Sequence, residues 1–116
     1  MTLTAVELAE KQLAAYNNHD LDAFCDCFSE DVEVQFLIDD EVLFRGKSAL
    51  KVTYAERFSH PGLHAKLLNR IAVGRAVVDE EEVTGLVNGL SLHVLAIYEI
   101  EHGLICKVRF ERAEQK

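Results

Sequence analysis

The chain has 116 residues, of which 49% are hydrophobic and 28% charged, a composition typical of a folded domain and not of a disordered segment. Its 20 acidic residues outnumber its 12 basic residues, which gives a formal net charge of −8. That balance argues against a general affinity for nucleic acid or anionic membranes, because both bind basic surfaces. We therefore expect one domain over residues 1–116, with neither nucleic acid nor membrane as a partner.

The N-terminal segment predicts no secretory signal, since Glu7 and Lys11 interrupt the stretch where its apolar core would lie. No window approaches the roughly 18 apolar residues of a membrane span. The three cysteines match no common zinc spacing, and we expect them to be reduced thiols. The sequence also lacks phosphate-binding and dinucleotide-binding glycine motifs. These features predict a cytoplasmic protein without a metal site or a cofactor.

Helical periodicity covers the start of the chain. Apolar residues recur at spacings of three and four over 6–16, which predicts one helix, and over 21–28, which predicts a second. Asp20 is a suitable N-cap for the second helix, since its carboxylate can accept a hydrogen bond from an exposed N–H. Alternating apolar and polar residues over 32–36 then predict a strand, and 41–45 reads as its hairpin partner.

A third helix is predicted around residues 50–58 and ends before Pro61, because proline cannot continue the helical hydrogen bonds. The remaining residues alternate with period two and predict four long antiparallel strands. The order is therefore ααββα followed by four strands. This is an α+β domain in which three helices pack on one face of a curved antiparallel or mixed sheet of about six strands.

Three segments resemble a known family. They are residues 13–24 leading into 28–32, the sequence Phe-Arg-Gly-Lys-Ser-Ala-Leu at 44–50, and the Gly-Leu-Ile hairpin at 103–105. Together they resemble the SnoaL-like branch of the nuclear transport factor two-like superfamily, which includes ketosteroid isomerases and polyketide cyclases. The resemblance spans nearly the whole chain. It implies a cone-shaped, cystatin-like α+β roll with an apolar pocket at the open end, and pairing of two copies through the outer sheet face.

The catalytic groups of ketosteroid isomerases can be sought by resemblance. Those enzymes use an aspartate base and an oxyanion hole formed by a tyrosine and a protonated aspartate. The tyrosine position falls on Gln12, and the base position falls on Phe36 or Leu37. The protonated aspartate falls on Ala96 or Ile97. None of these side chains supplies the required group, so the isomerase mechanism is disfavoured.

Other residues are candidates for a pocket lining. Tyr16 lies on the buried stripe of the first helix, Tyr54 on that of the third, and Tyr98 on the face of Ala96. A tyrosine on an apolar stripe is usually core with its hydroxyl at the rim, and that alternative stays open for each of the three. The predicted ligand-binding residues are Tyr16, Phe28, Phe36, Tyr54, Phe58, Asn69, Tyr98 and Phe110.

Two polar residues of the first long strand have open assignments. Asn69 is the only polar residue in an inward run over 63–73 and must find a partner if buried, although a β-bulge would turn it outward. His64 has the outward phase near the expected pocket mouth, so it is either a general base or a solvated residue. The catalytic candidates are Tyr16, His64 and Tyr98. Four consecutive acidic residues at 79–82 are expected to be solvated.

Two functions remain open at the level of sequence. The first is binding of a small hydrophobic or aromatic molecule without chemistry, which the apolar lining and the missing acids favour. The alternative is an enzyme of the isomerase, cyclase or hydrolase type that uses pocket tyrosine, histidine and asparagine side chains. A purely structural dimerisation module is a third option. Mixed apolar and charged residues at 93–99 and 105–111 predict a homodimer through the outer sheet face.

Overall fold

The computed structural model describes residues 3–115. Within them the helices are α1 (Ala5–Asn17), α2 (Leu21–Cys25) and α3 (Lys47–Phe58). The strands are β1 (Phe28–Phe36), β2 (Val42–Arg45), β3 (His64–Val73), β4 (Ala76–Thr84), β5 (Ser91–Glu101) and β6 (Leu104–Gln115). None of the helices in this part of the chain has the length and apolar character needed to cross a membrane.

All these strands belong to one sheet with the order β2-β1-β6-β5-β4-β3. Neighbouring strands run antiparallel except β1 and β6, which run parallel, so the sheet is mixed. The outer strands β2 and β3 do not pair with each other, and the sheet remains open. The structure confirms the predicted α+β architecture of helices packed against a six-stranded sheet.

The helices are attached to one face of the sheet. α1 packs against β3 and β4, and α3 packs against β1 and β2. Asn17, at the end of α1, donates a hydrogen bond to the Ala65 carbonyl at 3.0 Å and accepts one from the Ala65 N–H at 2.8 Å. This reciprocal pair fixes the end of α1 against the start of β3, so a space enclosed by helices and sheet keeps a defined shape.

An aromatic cluster joins the three helices to β1. The ring centroid of Phe24 lies 4.9 Å from that of Phe28, 4.6 Å from that of Tyr54 and 5.4 Å from that of Phe58. Tyr16 packs edge-on against Phe58 at 5.3 Å. Such pairs each contribute about 0.5–1.5 kcal/mol beyond the burial of their area. The cluster therefore sets the relative positions of α1, α2 and α3.

The second helix is shorter than the sequence predicts. α2 ends at Cys25, and Phe28 begins β1, where it pairs with Ile105. The Ile105 N–H donates to the Cys27 carbonyl at 2.8 Å, so strand pairing replaces the next helical turn. Phe28 is buried, as its spacing predicted. Its conformation is that of a strand and not the predicted helix. Ile105, expected on the outer face, is also fully buried.

A β-bulge changes the inner face of β3. The pairing register with β4 shifts between Leu67 and Asn69, which reverses the alternation beyond that point. Asn69 turns outward, where its amide donates to the Glu80 carboxylate at 2.8 Å. Arg70 turns toward the buried Asp79 instead. The prediction of an inward Asn69 is therefore wrong, and the outward alternative is correct.

Gly85 lies where β4 ends against the turn that precedes β3. Its φ is +78°, and a Cβ built on it would overlap the Gly62 carbonyl group and lie 2.6 Å from the Leu63 nitrogen. Gly89 has a similar φ of +70° but open space around it. Both positions carry left-handed strain for other residues, but only Gly85 has no room for a side chain.

We expect Gly85→Ala to lower the free energy of unfolding by about 1–3 kcal/mol more than Gly89→Ala, because only the first substitution forces the backbone to move. Urea denaturation of both variants measures the difference. Equal losses would show that the two turns can separate at little cost.

Candidate functional site

A cavity lies between the inner face of the sheet and the helices. The space that the centre of a water-sized molecule can reach measures about 70 Å³. That is room for a few waters or one small organic molecule, and not for a large polycyclic one. Most of the wall is apolar and includes Phe24, Phe28, Val34, Leu50, Val108 and Phe110.

Polar side chains interrupt this apolar wall at several points. They come from α1, α3 and the strands β4, β5 and β6, and therefore converge from opposite sides of the cavity. A few convergent polar groups in an apolar cavity are typical of a site for small molecules. The polar residues that line it are Gln12, Tyr16, Tyr54, Arg57, Glu81, Tyr98 and Arg112.

The structure brings most of the predicted ligand-binding residues together. Phe58 packs behind Tyr16 and does not line the cavity. Phe36 lies under the guanidinium of Arg112, 5.2 Å from it, and is also outside the lining. Asn69 is on the outer face because of the β3 bulge. Those that line the cavity are Tyr16, Phe28, Tyr54, Tyr98 and Phe110.

His64 is not placed to act on a molecule in the cavity. It is exposed at the start of β3, while its neighbours Leu63 and Ala65 are buried. Ala65 is the residue by which β3 contributes to the cavity wall. The outward phase of His64 is as expected, and its assignment as a solvated residue fits the structure better than that of a base.

The sequence reasoning missed Glu81. The strand β4 alternates so that Val77, Asp79, Glu81 and Val83 are buried on the inner face. The expectation that residues 79–82 are solvated is therefore wrong for two of the four. The available signal was the phase itself, because two buried valines flank the acidic pair at period two.

Asp79 is held in a buried ion pair. Arg70 donates from Nε and Nη2 to the two carboxylate oxygens at 2.7 and 2.9 Å, and Asp79 is fully buried. The Nη1 atom of Arg70 also lies 3.6 Å from a carboxylate oxygen of Glu10. Because the bidentate pair satisfies both oxygens of Asp79, this carboxylate is structural.

Glu81 has no such partner. Its side chain is only 6% exposed and lines the cavity, yet among residues 3–115 no group donates a hydrogen bond to its carboxylate or forms an ion pair with it. Burial raises the pKa of Glu81 to about 7, with repulsion from Asp79 adding to the rise and attraction to Arg70 opposing it. A carboxyl group with this pKa can both accept and donate a proton near neutral pH.

The cavity also holds hydroxyl donors. Gln12 donates from Nε2 to the Tyr98 hydroxyl oxygen at 3.3 Å and to the Ala9 carbonyl at 3.4 Å. The hydrogen of the Tyr98 hydroxyl therefore remains available to a ligand. Burial, and then the charge of Glu81, raises the pKa of Tyr98 well above its usual value, so the hydroxyl stays protonated. Burial is also the main cause of the raised pKa values of Tyr16 and Tyr54.

Two arginines were also missed. Arg57 lies one helical turn after Tyr54, and Arg112 lies two residues after Phe110, so both share a face with a predicted site residue. This spacing was a usable signal for both residues. Within the described residues, no three His, Cys, Asp or Glu side chains are grouped as a metal site would require.

Comparison with known proteins identifies the family of the chain. The family model of the SnoaL-like domain matches residues 9–108, and the chain belongs to this family. Comparison with curated proteins gives no significant match.

Solved structures have the same fold. An uncharacterized cystatin fold protein from Novosphingobium aromaticivorans is 27% identical, with a TM-score of 0.85 over 95% of this chain and 99% of that one. A candidate ketosteroid isomerase from Kribbella flavida is 21% identical, with a TM-score of 0.82 over 99% of this chain and 82% of that one. A candidate polyketide cyclase from Sinorhizobium meliloti is 16% identical, with a TM-score of 0.77 over 94% of this chain and 100% of that one. The last two likenesses show the fold alone.

Glu81 makes the stability of the fold depend on pH. Its pKa rises from an ordinary 4.5 to about 7 on folding, so the folded protein binds an extra proton between these values. Stability is therefore lost as pH rises through that window, and the loss is complete above it. We expect the wild type to lose about 2 kcal/mol relative to Glu81→Gln between about pH 5 and pH 8.

Chemical denaturation at the two pH values measures this difference. Glu82→Gln is the matched control, because it removes an adjacent carboxylate on the outer face of β4, and it should keep the wild-type pH dependence. Parallel pH profiles for the wild type and Glu81→Gln would contradict the assignment of a raised pKa to Glu81.

Proposed function

We propose that this SnoaL-like domain binds a small, mostly apolar molecule in its cavity and catalyses proton transfer on it. The observation that carries the proposal is Glu81, a buried carboxyl group with a pKa near 7 that faces the cavity without a partner. Burying such a group costs stability, and perturbed carboxyl groups in clefts are concentrated at catalytic sites. The lead expectation of a binding module without chemistry is therefore extended to an enzyme.

A ligand with a carbonyl group fits these residues. The Tyr98 hydroxyl would donate to the carbonyl oxygen, with Gln12 holding the hydroxyl in place. Glu81 would remove a proton from the carbon next to the carbonyl, and the electrons of that C–H bond would move onto the oxygen as an enolate forms. The hydrogen bond from Tyr98 strengthens as this negative charge develops, and so lowers the barrier.

Two outcomes of the enolate correspond to the reaction classes named for the structural neighbours. Return of the proton from Glu81 to a different carbon completes an isomerisation. Attack of the enolate carbon on a second carbonyl of the same molecule closes a ring, as the electron pair of that C=O bond moves to its oxygen and Glu81 returns its proton there. Here the carboxyl group comes from β4 and not from the isomerase base position at Phe36 or Leu37. Binding without reaction is the second candidate, favoured by the lack of acids at those positions and at Ala96.

Hydrogen exchange tests the catalytic proposal without knowledge of the natural substrate. Cyclohexanone and 2-indanone in D₂O exchange the hydrogens next to their carbonyl groups, and proton NMR follows the rate. We expect the wild type to accelerate this exchange, and Glu81→Gln to lower the enzymatic rate by about 100-fold or more, because the base is removed while the cavity is kept.

Glu82→Gln should exchange at the wild-type rate, since its carboxylate faces away from the cavity. Exchange by Glu81→Gln at the wild-type rate would remove Glu81 from the mechanism. Ketones that raise the melting temperature but show no accelerated exchange would favour the binding function instead.

We also propose that two copies pair through the outer face of the sheet. A groove on that face has an apolar floor that includes Ile71, Val78 and Leu95, and Ile71 is 64% exposed. Glu80 and His93 flank the floor, and the His93 Nε2 atom lies 2.6 Å from a carboxylate oxygen of Glu80. An apolar floor with hydrogen-bonding side chains at its border suits a two-fold interface, in which the same surface of each copy contacts the other.

Sedimentation velocity tests the pairing. We expect the wild type to sediment as a dimer of the 13.0 kDa chain and Leu95→Glu as a folded monomer, because a charge would be buried at the interface centre. Val52→Glu, at an exposed position on α3, should remain dimeric. A wild type that is monomeric at tens of micromolar would refute this proposal.

A further inference from the structure

Two arginines lie where the cavity meets a groove on the protein surface. The groove is lined by residues of α3, β5 and β6, by the segment between β4 and β5 and by His60. It is larger than the cavity, at about 440 Å³ by the same measure. Arg57, Leu92 and Arg112 line both spaces. The two guanidinium groups therefore stand at the boundary, where a molecule in the cavity would extend into the groove.

Neither arginine is paired with a carboxylate. Among residues 3–115, no carboxylate oxygen lies within 4.0 Å of Arg57 or Arg112. The other four arginines all have such a partner, at 2.6–3.1 Å. In a chain with an excess of acidic residues, the arginines left without a partner are those at the cavity mouth.

Both guanidinium groups are held in place by other contacts. Arg112 lies 5.2 Å from the ring centroid of Phe36, a cation–π distance. It is two residues beyond Phe110, the last β6 residue that pairs with β1, so its side chain stands at a free edge of the sheet. Arg57 is half-buried next to Tyr16. Burial raises the pKa of Tyr16, and the nearby positive charge of Arg57 opposes that rise. Because a guanidinium group carries five N–H donors, each arginine keeps donors for a ligand beside these contacts.

We propose that Arg57 and Arg112 bind the carboxylate of an amphipathic ligand whose apolar part occupies the cavity. The inference rests on the proposed function and names its substrate class, a small monocarboxylate that presents a reactive carbon to Glu81. Guanidinium groups match the planar carboxylate in charge and hydrogen-bond geometry. Glu56 and Glu114 line the same groove, so a single negative charge is accommodated better than a phosphate dianion.

The test compares probes that share a phenyl ring and differ in the polar group attached to it. Phenylacetate, phenylacetamide and phenyl phosphate are titrated into the full-length protein by isothermal calorimetry at low and high salt. We expect phenylacetate to bind about tenfold more tightly than phenylacetamide, and the advantage to shrink as salt screens the arginines. Phenyl phosphate should bind more weakly than phenylacetate.

Substitutions locate the effect. Arg57→Gln and Arg112→Gln should each reduce the preference for the acid over the amide, and the double variant should abolish it. Arg57→Lys should keep part of it, because the charge remains without the planar fork. Arg75→Gln, which removes an exposed arginine paired with Glu101 at 2.8 Å, is the matched control and should keep the full preference. Melting temperatures confirm that each variant is folded.

Several outcomes would overturn the carboxylate site. They are equal binding of acid and amide to the wild type, a preference that survives in the double variant, tighter binding of phenyl phosphate, and no binding of any probe. Glu81→Gln separates this inference from the proposed function. It should keep the preference for the acid while ketone exchange is lost, so either proposal can fail while the other stands.

Discussion

The candidate site depends on the buried ion pair between Arg70 and Asp79. The bulge in β3 brings Arg70 to the inner face, and the bidentate contact then neutralises one of the two carboxylates that β4 places there. Without the bulge, Asn69 would face inward and two buried carboxylates would lie close together without a cation. The pair therefore makes an acidic inner face compatible with folding and leaves Glu81 as the carboxyl group that meets the cavity.

The ion pair has a smaller effect on the pKa of Glu81 than burial has. Burial is the main cause of its raised pKa, repulsion from Asp79 adds to the rise, and attraction to Arg70 opposes it. The resulting value near 7 comes from an apolar cavity wall and not from one strong partner. Tyr98, held by Gln12, supplies a neutral donor within the same cavity, and the arginines at the mouth supply positive charge. In a chain with a net charge of −8, these two arginines have no carboxylate partner among residues 3–115.

The sequence predicted the fold well and the site in part. Helical stripes and strand alternation located the cavity-facing tyrosines, because burial and periodicity report the same apolar pattern. They fail where a polar residue faces inward, because the pattern reports hydrophobicity and so predicts that the acidic residues 79 and 81 are solvated. They also failed at Asn69, because a bulge depends on pairing between strands and leaves no periodic trace. The start of β1 was missed because its pairing partner, Ile105, is distant in the sequence.

Two departures from the isomerase pattern are physically linked. The position of the isomerase base falls on Phe36 or Leu37, and Phe36 here lies outside the cavity wall under Arg112. The Phe36 ring therefore positions the guanidinium of Arg112 at the cavity mouth. A carboxylate at position 36 would instead form an ion pair with Arg112. The carboxyl group that we propose for proton transfer lies instead on β4, whose inner face lines the same cavity. Proton transfer requires a carboxyl group near the ligand and not a particular strand, so a carboxyl group on β4 can take the proposed role while Phe36 positions Arg112.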